Sequence, residues 1–317
     1  MADSTEGDTD VRYLGLLALI AGLVIHSFII GVNVTDWWKG RSVTPVDQIV
    51  TCLGISRMCS ESANILHFFI DLIFQGNLNS RVTLVIAMVY NFSTSANIWL
   101  TSLLCIVFWL KISNFHTRLF VYLRGMIVHR TVYLIGASVL ISAVNSLITM
   151  LISITEDSSG GTYNKSMTNS ITYCKRIDHV YHVTIGAFFS LLSYSISSVL
   201  LFTSLYHHTT KMKMSSNLSI NLETYYSAMK FVAFTFIYNT VYLLCYFYCV
   251  FYYYIHCVYL SWLIIVMGFL PVLHSSYLIY RTAKLRSQMS KVLRNVTDFL
   301  FESKDIETRE NIEVVAL

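Results

Sequence analysis

Arg57 and Glu61 stand four residues apart in an otherwise apolar run, a spacing that puts a guanidinium and a carboxylate on one face of a helix. Charge inside hydrocarbon is costly and demands interior partners. Arg57, Glu61 and Asn64, with Asn33, His274 and Ser275 from other apolar runs, are therefore the candidates for an interior polar network. The Arg57/Glu61 spacing serves a static pair that pins helix packing as well as it serves a switch. Asp178, His179 and His182 offer two imidazoles beside a carboxylate, but no third or fourth ligand accompanies them; an interfacial polar cluster is expected, and no metal. His207 and His208 read as inner-face residues rather than metal ligands. A membrane enzyme would need histidines and acids converging at one depth, whereas here the histidines are scattered among loops and both faces. No catalytic role and no cofactor are expected.

Seven apolar runs must position these groups. Of 317 residues 55% are hydrophobic and 13% charged, more apolar surface than a soluble core of this length hides, so the excess faces lipid. Windows of bilayer-spanning length occur at Val11–Val34, Val46–Phe74, Val82–Leu110, Thr131–Thr155, Val180–Tyr206, Ala228–Tyr254 and Cys257–Tyr280. Helices satisfy their own backbone in lipid, and the chain has only two prolines and no strand-like alternation, which favours an all-α membrane protein over a barrel. Transporters built from inverted repeats would show two related halves, and none is evident.

Basic residues orient the chain. Fourteen Lys and Arg, from Lys39 to Arg294, fall in the first, third and fifth connections and just after the last span, against five on the other side. This predicts an N-terminus outside and a cytoplasmic C-terminus. The acidic start, Asp3 to Asp10, lacks the basic region of a cleaved signal, so the first span is expected to act as its own anchor. The net charge of +4 is a topology signal and implies no nucleic acid. Five cysteines lie in spans; Cys174 and Cys257 fall near the outer face, where a pair is open, but no disulfide framework is indicated. Asn164 heads the one glycosylation sequon in a clearly external loop. Residues 281–301 place Leu285, Met289, Val292, Leu293, Val296 and Leu300 at helical spacing among Lys284, Arg286, Lys291 and Arg294, an amphipathic helix suited to an anionic inner leaflet. Residues 302–317 alternate in charge and are expected to be a disordered tail.

Several blocks, in order along nearly the whole chain, carry a resemblance. They are Phe28-Ile29-Ile30-Gly31-Val32-Asn33 with Asp36-Trp37-Trp38-Lys39-Gly40-Arg41, then Asp47-Gln48-Ile49-Val50 and Ile55-Ser56-Arg57. Trp99-Leu100-Thr101 and Phe108 to Phe115 follow, then Ser204-Leu205-Tyr206-His207-His208-Thr209-Thr210-Lys211-Met212, Phe234 to Tyr238 and Pro271-Val272-Leu273-His274-Ser275 with Lys284-Leu285-Arg286. Together they resemble the bitter taste receptor family, the type 2 taste receptors. His26, Thr94 and Thr282 stand where that family usually or often has Asn. Asp-Arg-Tyr and Asn-Pro-x-x-Tyr, marks of rhodopsin-like receptors, are missing from the third and seventh spans.

The resemblance implies a seven-transmembrane G-protein-coupled receptor of the plasma membrane, with a small-molecule pocket in the outer halves of the third, sixth and seventh spans. Tyr90, Asn91, Thr94, Tyr238, Tyr242, Ile264 and Met267 fit it, an aromatic wall suited to flat or cationic bitter compounds. It also implies a heterotrimeric G protein, gustducin or another inhibitory type, facing Lys111, Asn114, Phe115, Leu119, Arg124, His208, Met212 and Lys284. Any one of these residues could equally be ordinary packing or topology. A vomeronasal type 1 pheromone receptor is the alternative; the Asp36–Arg41 loop and the Pro271–Ser275 block favour taste.

Overall fold

The computed structural model describes residues 3–74, 80–112, 118–159, 188–189, 192–200, 202–204, 206–207, 210, 219–256 and 261–315. Every regular element among the described residues is a helix: α1 (Asp3–Trp38), α2 (Pro45–Phe74), α3 (Ser80–Ile112), α4 (Arg118–Ser159), α5 (Leu192–Ser204), α6 (Ser219–His256), α7 (Ser261–Arg281) and α8 (Ala283–Val315). Three of them are long and apolar enough to cross a membrane over Tyr13–Trp38, Val82–Phe108 and Arg130–Ile152, and Leu192–Ser204 and Ala233–Cys249 form shorter apolar helices. In α2 the charges of Asp47, Arg57, Glu61 and Asp71 dilute the apolar window.

Local sequence dictates the turn from α1 to α2. Gly40 takes φ 69°, a left-handed conformation that only glycine adopts without strain. It lets Gly40 N–H reach Trp37 O at 3.0 Å and Arg41 N–H reach Asp36 O at 3.1 Å, the paired bonds that finish a helix on glycine. Arg41 also pairs with the Asp36 carboxylate at 2.8 Å. Four residues later Thr44 caps α2: Asp47 N–H donates to Thr44 Oγ1 at 3.2 Å and Thr44 N–H to Asp47 Oδ2 at 3.2 Å, with Pro45 at the first helical position. The Asp-Trp-Trp-Lys-Gly-Arg and Pro-Val-Asp-Gln blocks are thus, in part, instructions for stopping one helix and starting the next.

Some boundaries differ from the sequence windows. α4 starts at Arg118, and Arg130 (φ −123°, ψ 19°) bends it where the membrane window begins. Residues 118–129, read as connection, are therefore helical, and α6 likewise starts at Ser219, ahead of Ala228. α8 continues through residues 302–315 to Val315. No Gly or Pro interrupts that stretch, and Asp305 lies four residues before Arg309, the favourable order for a helix.

The chain divides into two compact units, Met1–His274 and Ser275–Leu317. In the first, α2 packs against α1, α3 and α4, and α3 also packs against α4. Gly15 faces Ile265 and Gly268 faces Leu19, so small residues let α1 and α7 approach closely. In the second, Leu285 is buried, whereas Val292, Leu293, Val296 and Phe299 are exposed along α8.

Candidate functional site

The apolar interior of the first unit contains a cluster of buried polar side chains. Arg57, 2% exposed, sends Nε to Asn97 Oδ1 of α3 at 2.9 Å and Nη1 to His274 Nδ1 of α7 at 3.0 Å. A guanidinium only donates, so His274 Nδ1 accepts and its Nε2 carries the ring proton. The His274 ring stacks on Tyr238 of α6, centroids 4.4 Å apart and planes at 23°, and Arg57 Cζ lies 5.8 Å from the same tyrosine ring. One guanidinium thereby touches α3, α6 and α7 from α2.

One helical turn further along α2, Glu61 turns to α1. His26 Nδ1 donates to Glu61 Oε2 at 3.0 Å, with both side chains almost wholly buried. Gly22, one turn before His26, makes room: a β-carbon there would stand 2.6 Å from Glu61 Cδ and 2.7 Å from Oε2, closer than real contacts come. The four-residue spacing of Arg57 and Glu61 places them on one face, but in this arrangement each is committed to other helices. Asn33 is buried and donates to Thr51 Oγ1 at 3.0 Å, a second polar tie between α1 and α2.

Above this layer lies a group of tyrosines. Tyr90 is in electrostatic reach of Thr94, Asn64 and Cys249, and Tyr242 of Tyr90, Tyr238 and Tyr246. Tyr238 and Tyr242 are buried, with ring centroids 6.2 Å apart, and Thr94 is buried as well. Among the described residues, the Tyr238 hydroxyl and His274 Nε2 meet no hydrogen-bond partner. On the other side of α6, Tyr194 of α5 donates to Thr235 O at 2.9 Å and accepts from Asn239 Nδ2 at 3.2 Å, a polar fastening between α5 and α6.

The sequence matches the profile of the taste receptor protein (TAS2R) family over residues 12–297. The chain belongs to that family. Taste receptor type 2 member 9 of Macaca mulatta is 28% identical over 318 residues, covering 92% of this chain and 96% of its own. Taste receptor type 2 member 64 of Pan paniscus is 28% identical over 224 residues, 66% and 70% of the two chains. Member 2 of Homo sapiens is 26% identical over 216 residues, 67% and 71% of the two. Membership makes the chain a bitter taste receptor with the seven-transmembrane helical fold, and nothing favours the pheromone-receptor alternative.

In this taste receptor the residues expected at the ligand pocket fall in two groups. Tyr90, Thr94, Tyr238 and Tyr242 are brought together through α3 and α6. Asn91 and Met267 are half-buried on α3 and α7, while the Ile264 side chain lies outside the described residues. Of the interior candidates, Arg57 and His274 are in direct contact, Glu61 joins α1 instead, Asn64 is half-buried beside Tyr90, and Ser275 is buried in the second unit. Asn114, Phe115, His208 and Met212 lie outside the described residues, as do the side chains of Lys111, Leu119 and Arg124; Lys284 is half-buried on α8. Asn164, Cys174, Cys257, Asp178, His179 and His182 also lie outside them. Sequence reasoning passed over Asn97 and Gly22 and treated His26 as a departure rather than a member of the network. The signal for His26 and Asn97 was present, since each is a strongly polar residue within an apolar span.

Proposed function

We propose that this receptor binds small, mostly apolar bitter compounds between α3, α6 and α7, against Tyr90, Thr94, Tyr238 and Tyr242, and shifts population toward a state that engages a gustducin-like or other inhibitory-type G protein. The observation carrying this reading is the meeting of buried aromatic faces with the Tyr238 hydroxyl and His274 Nε2, which have no hydrogen-bond partner among the described residues. An apolar wall with a few polar atoms is the usual make-up of a small-molecule site. The same floor touches Arg57, so a compound lodged there would act directly on the contacts that join α2, α3, α6 and α7.

The remaining assignments rest on charge and spacing. The basic bias supports a plasma-membrane receptor with its N-terminus outside, a G-protein surface of Lys111, Asn114, Phe115, Leu119, Arg124, His208, Met212 and Lys284, and glycosylation at Asn164. Exposed Val292, Leu293, Val296 and Phe299 on α8, close to Lys291 and Arg294, support a helix resting on the anionic inner leaflet.

The test is calcium recording in cultured cells carrying the receptor and a promiscuous G-protein chimera, during application of a broad panel of bitter compounds. A dose-dependent response lost in Tyr90→Ala and Tyr242→Ala, with surface labelling intact, is expected. Silence across the panel despite full surface labelling would overturn the reading.

A further inference from the structure

Glu61 has two possible partners in reach of its helix face, and the structure uses one. Its carboxylate is bonded to His26 of α1 at 3.0 Å, while Arg57, four residues earlier on the same face, is held by Asn97 and His274. Both charges lie in electrostatic reach of the same Tyr238 ring, and both side chains are buried away from water. Gly22 keeps the carboxylate against α1, because any β-carbon there would occupy its seat. Burying a carboxylate is costly unless it is paired, and for one drawn off His26 the opposite charge on the same helix face is Arg57, one turn earlier.

We propose that Glu61 is a partner-exchange residue. In the arrangement seen, Glu61 pairs with His26 and Arg57 binds His274; in the alternative, Glu61 takes Arg57 and His274 is released. That exchange has a mechanical consequence through α7 and α6. His274 is stacked on Tyr238, and with its tie to Arg57 gone the α6–α7 contact is free to repack, the kind of discrete two-state element through which a ligand at the tyrosines biases the inner face. Among the described residues, the groups facing the exchange include Tyr238 from α6, Asn97 from α3, His274 from α7 and His26 from α1. The inference rests on the receptor reading above for its signalling consequence, although the exchange itself does not.

The two ways of losing the His26–Glu61 bond should then have opposite outcomes. His26→Ala leaves the carboxylate to seek Arg57 and should raise agonist-free signalling at least about fivefold, the low end of ordinary coupling between sites. Glu61→Gln leaves Arg57 on His274 and should not raise it, and in the double variant Glu61→Gln should cancel the rise caused by His26→Ala. A simple clasp between α1 and α2 predicts instead that both single variants behave alike and that the double matches either. Gly22→Ala, which displaces the carboxylate while leaving both partners in place, should resemble His26→Ala.

Signal per receptor at the surface is the first readout, with surface labelling as its denominator. The second uses purified receptor in lipid nanodiscs and needs neither ligand nor G protein: thermal midpoints for the Arg57→Gln, Glu61→Gln cycle, with and without His26→Ala. Coupling between Arg57 and Glu61 should be weak with His26 present and clear without it. Equal coupling on both backgrounds overturns the exchange, whereas clear coupling on the His26→Ala background with no G-protein signal from any form overturns the signalling reading alone. Like effects of the two single variants on signalling would also sink the proposal.

Discussion

α3 and α4 are both apolar helices of membrane-spanning length, yet they live in different solvents. Over its apolar window α3 is 67% buried and α4 only 22%, although α4 has the higher hydropathy, 2.0 against 1.3. The less apolar helix is the central one. α3 buries Ser93, Thr94, Ser95, Asn97, Thr101 and Ser102, so its polar atoms face other helices, and Asn97 holds Arg57. α4 turns one seam inward, Ser138, Ser142, Ser146 and Thr149, and shows Val132, Leu140, Val144, Leu147 and Leu151 to the outside. Small residues on that seam permit a close approach, and Ser146 Oγ donates to Met88 O of α3 at 3.1 Å. In a bilayer protein, hydropathy therefore measures how much of a helix meets lipid, and a dip within an apolar run marks the interior.

That contrast can be broken most severely at Asn97. Replacing it with Leu removes the acceptor for Arg57 Nε inside the protein and should cost about 3 kcal/mol, the scale of stripping one partner from a buried charge. Thermal unfolding of the purified receptor should register a clear drop, and surface labelling a matching loss; an unchanged midpoint would mean that Arg57 does not depend on α3. Ser142→Leu tests the seam of α4. Ser142 is fully buried, so the larger side chain should overpack the α4 contact and cost about 1–3 kcal/mol.

A smaller effect is expected for the α5–α6 fastening, where Asn239→Leu deletes a donor to Tyr194 and should lower stability by about 1 kcal/mol, read by the same thermal assay. Least of all, Leu140→Ala on the outward face of α4 should change stability by about 0.5 kcal/mol or less, since Leu140 is 65% exposed to whatever surrounds the protein. Should Leu140→Ala prove as harmful as Ser142→Leu, the lipid-facing assignment of that side would be wrong.

The helices were legible in the sequence because lipid imposes a simple requirement: a long apolar run must close its own backbone hydrogen bonds. The α1–α2 turn was legible for a similar local reason, since Gly40, Thr44, Pro45 and Asp47 interact only within a few residues of themselves. Less was legible of the helix ends. The bend at Arg130 and the continuation of α8 to Val315 show helix persisting where charge alone suggested connection or tail. Arg57, Glu61 and His274 stood out in the sequence as polar residues where polarity is expensive, and all three are buried.

Pairing was another matter. Four-residue spacing offers Arg57 to Glu61, but spacing within one helix says nothing of what a second helix brings to the same place. Sequence by itself determined the class of fold, the family and the depth at which polar groups would need partners, because solvent and backbone act on each segment separately. Tertiary structure alone decided that Glu61 goes to His26, that Arg57 goes to Asn97 and His274, and that Gly22 must lack a side chain, because those choices depend on contacts between residues 35 to 217 positions apart.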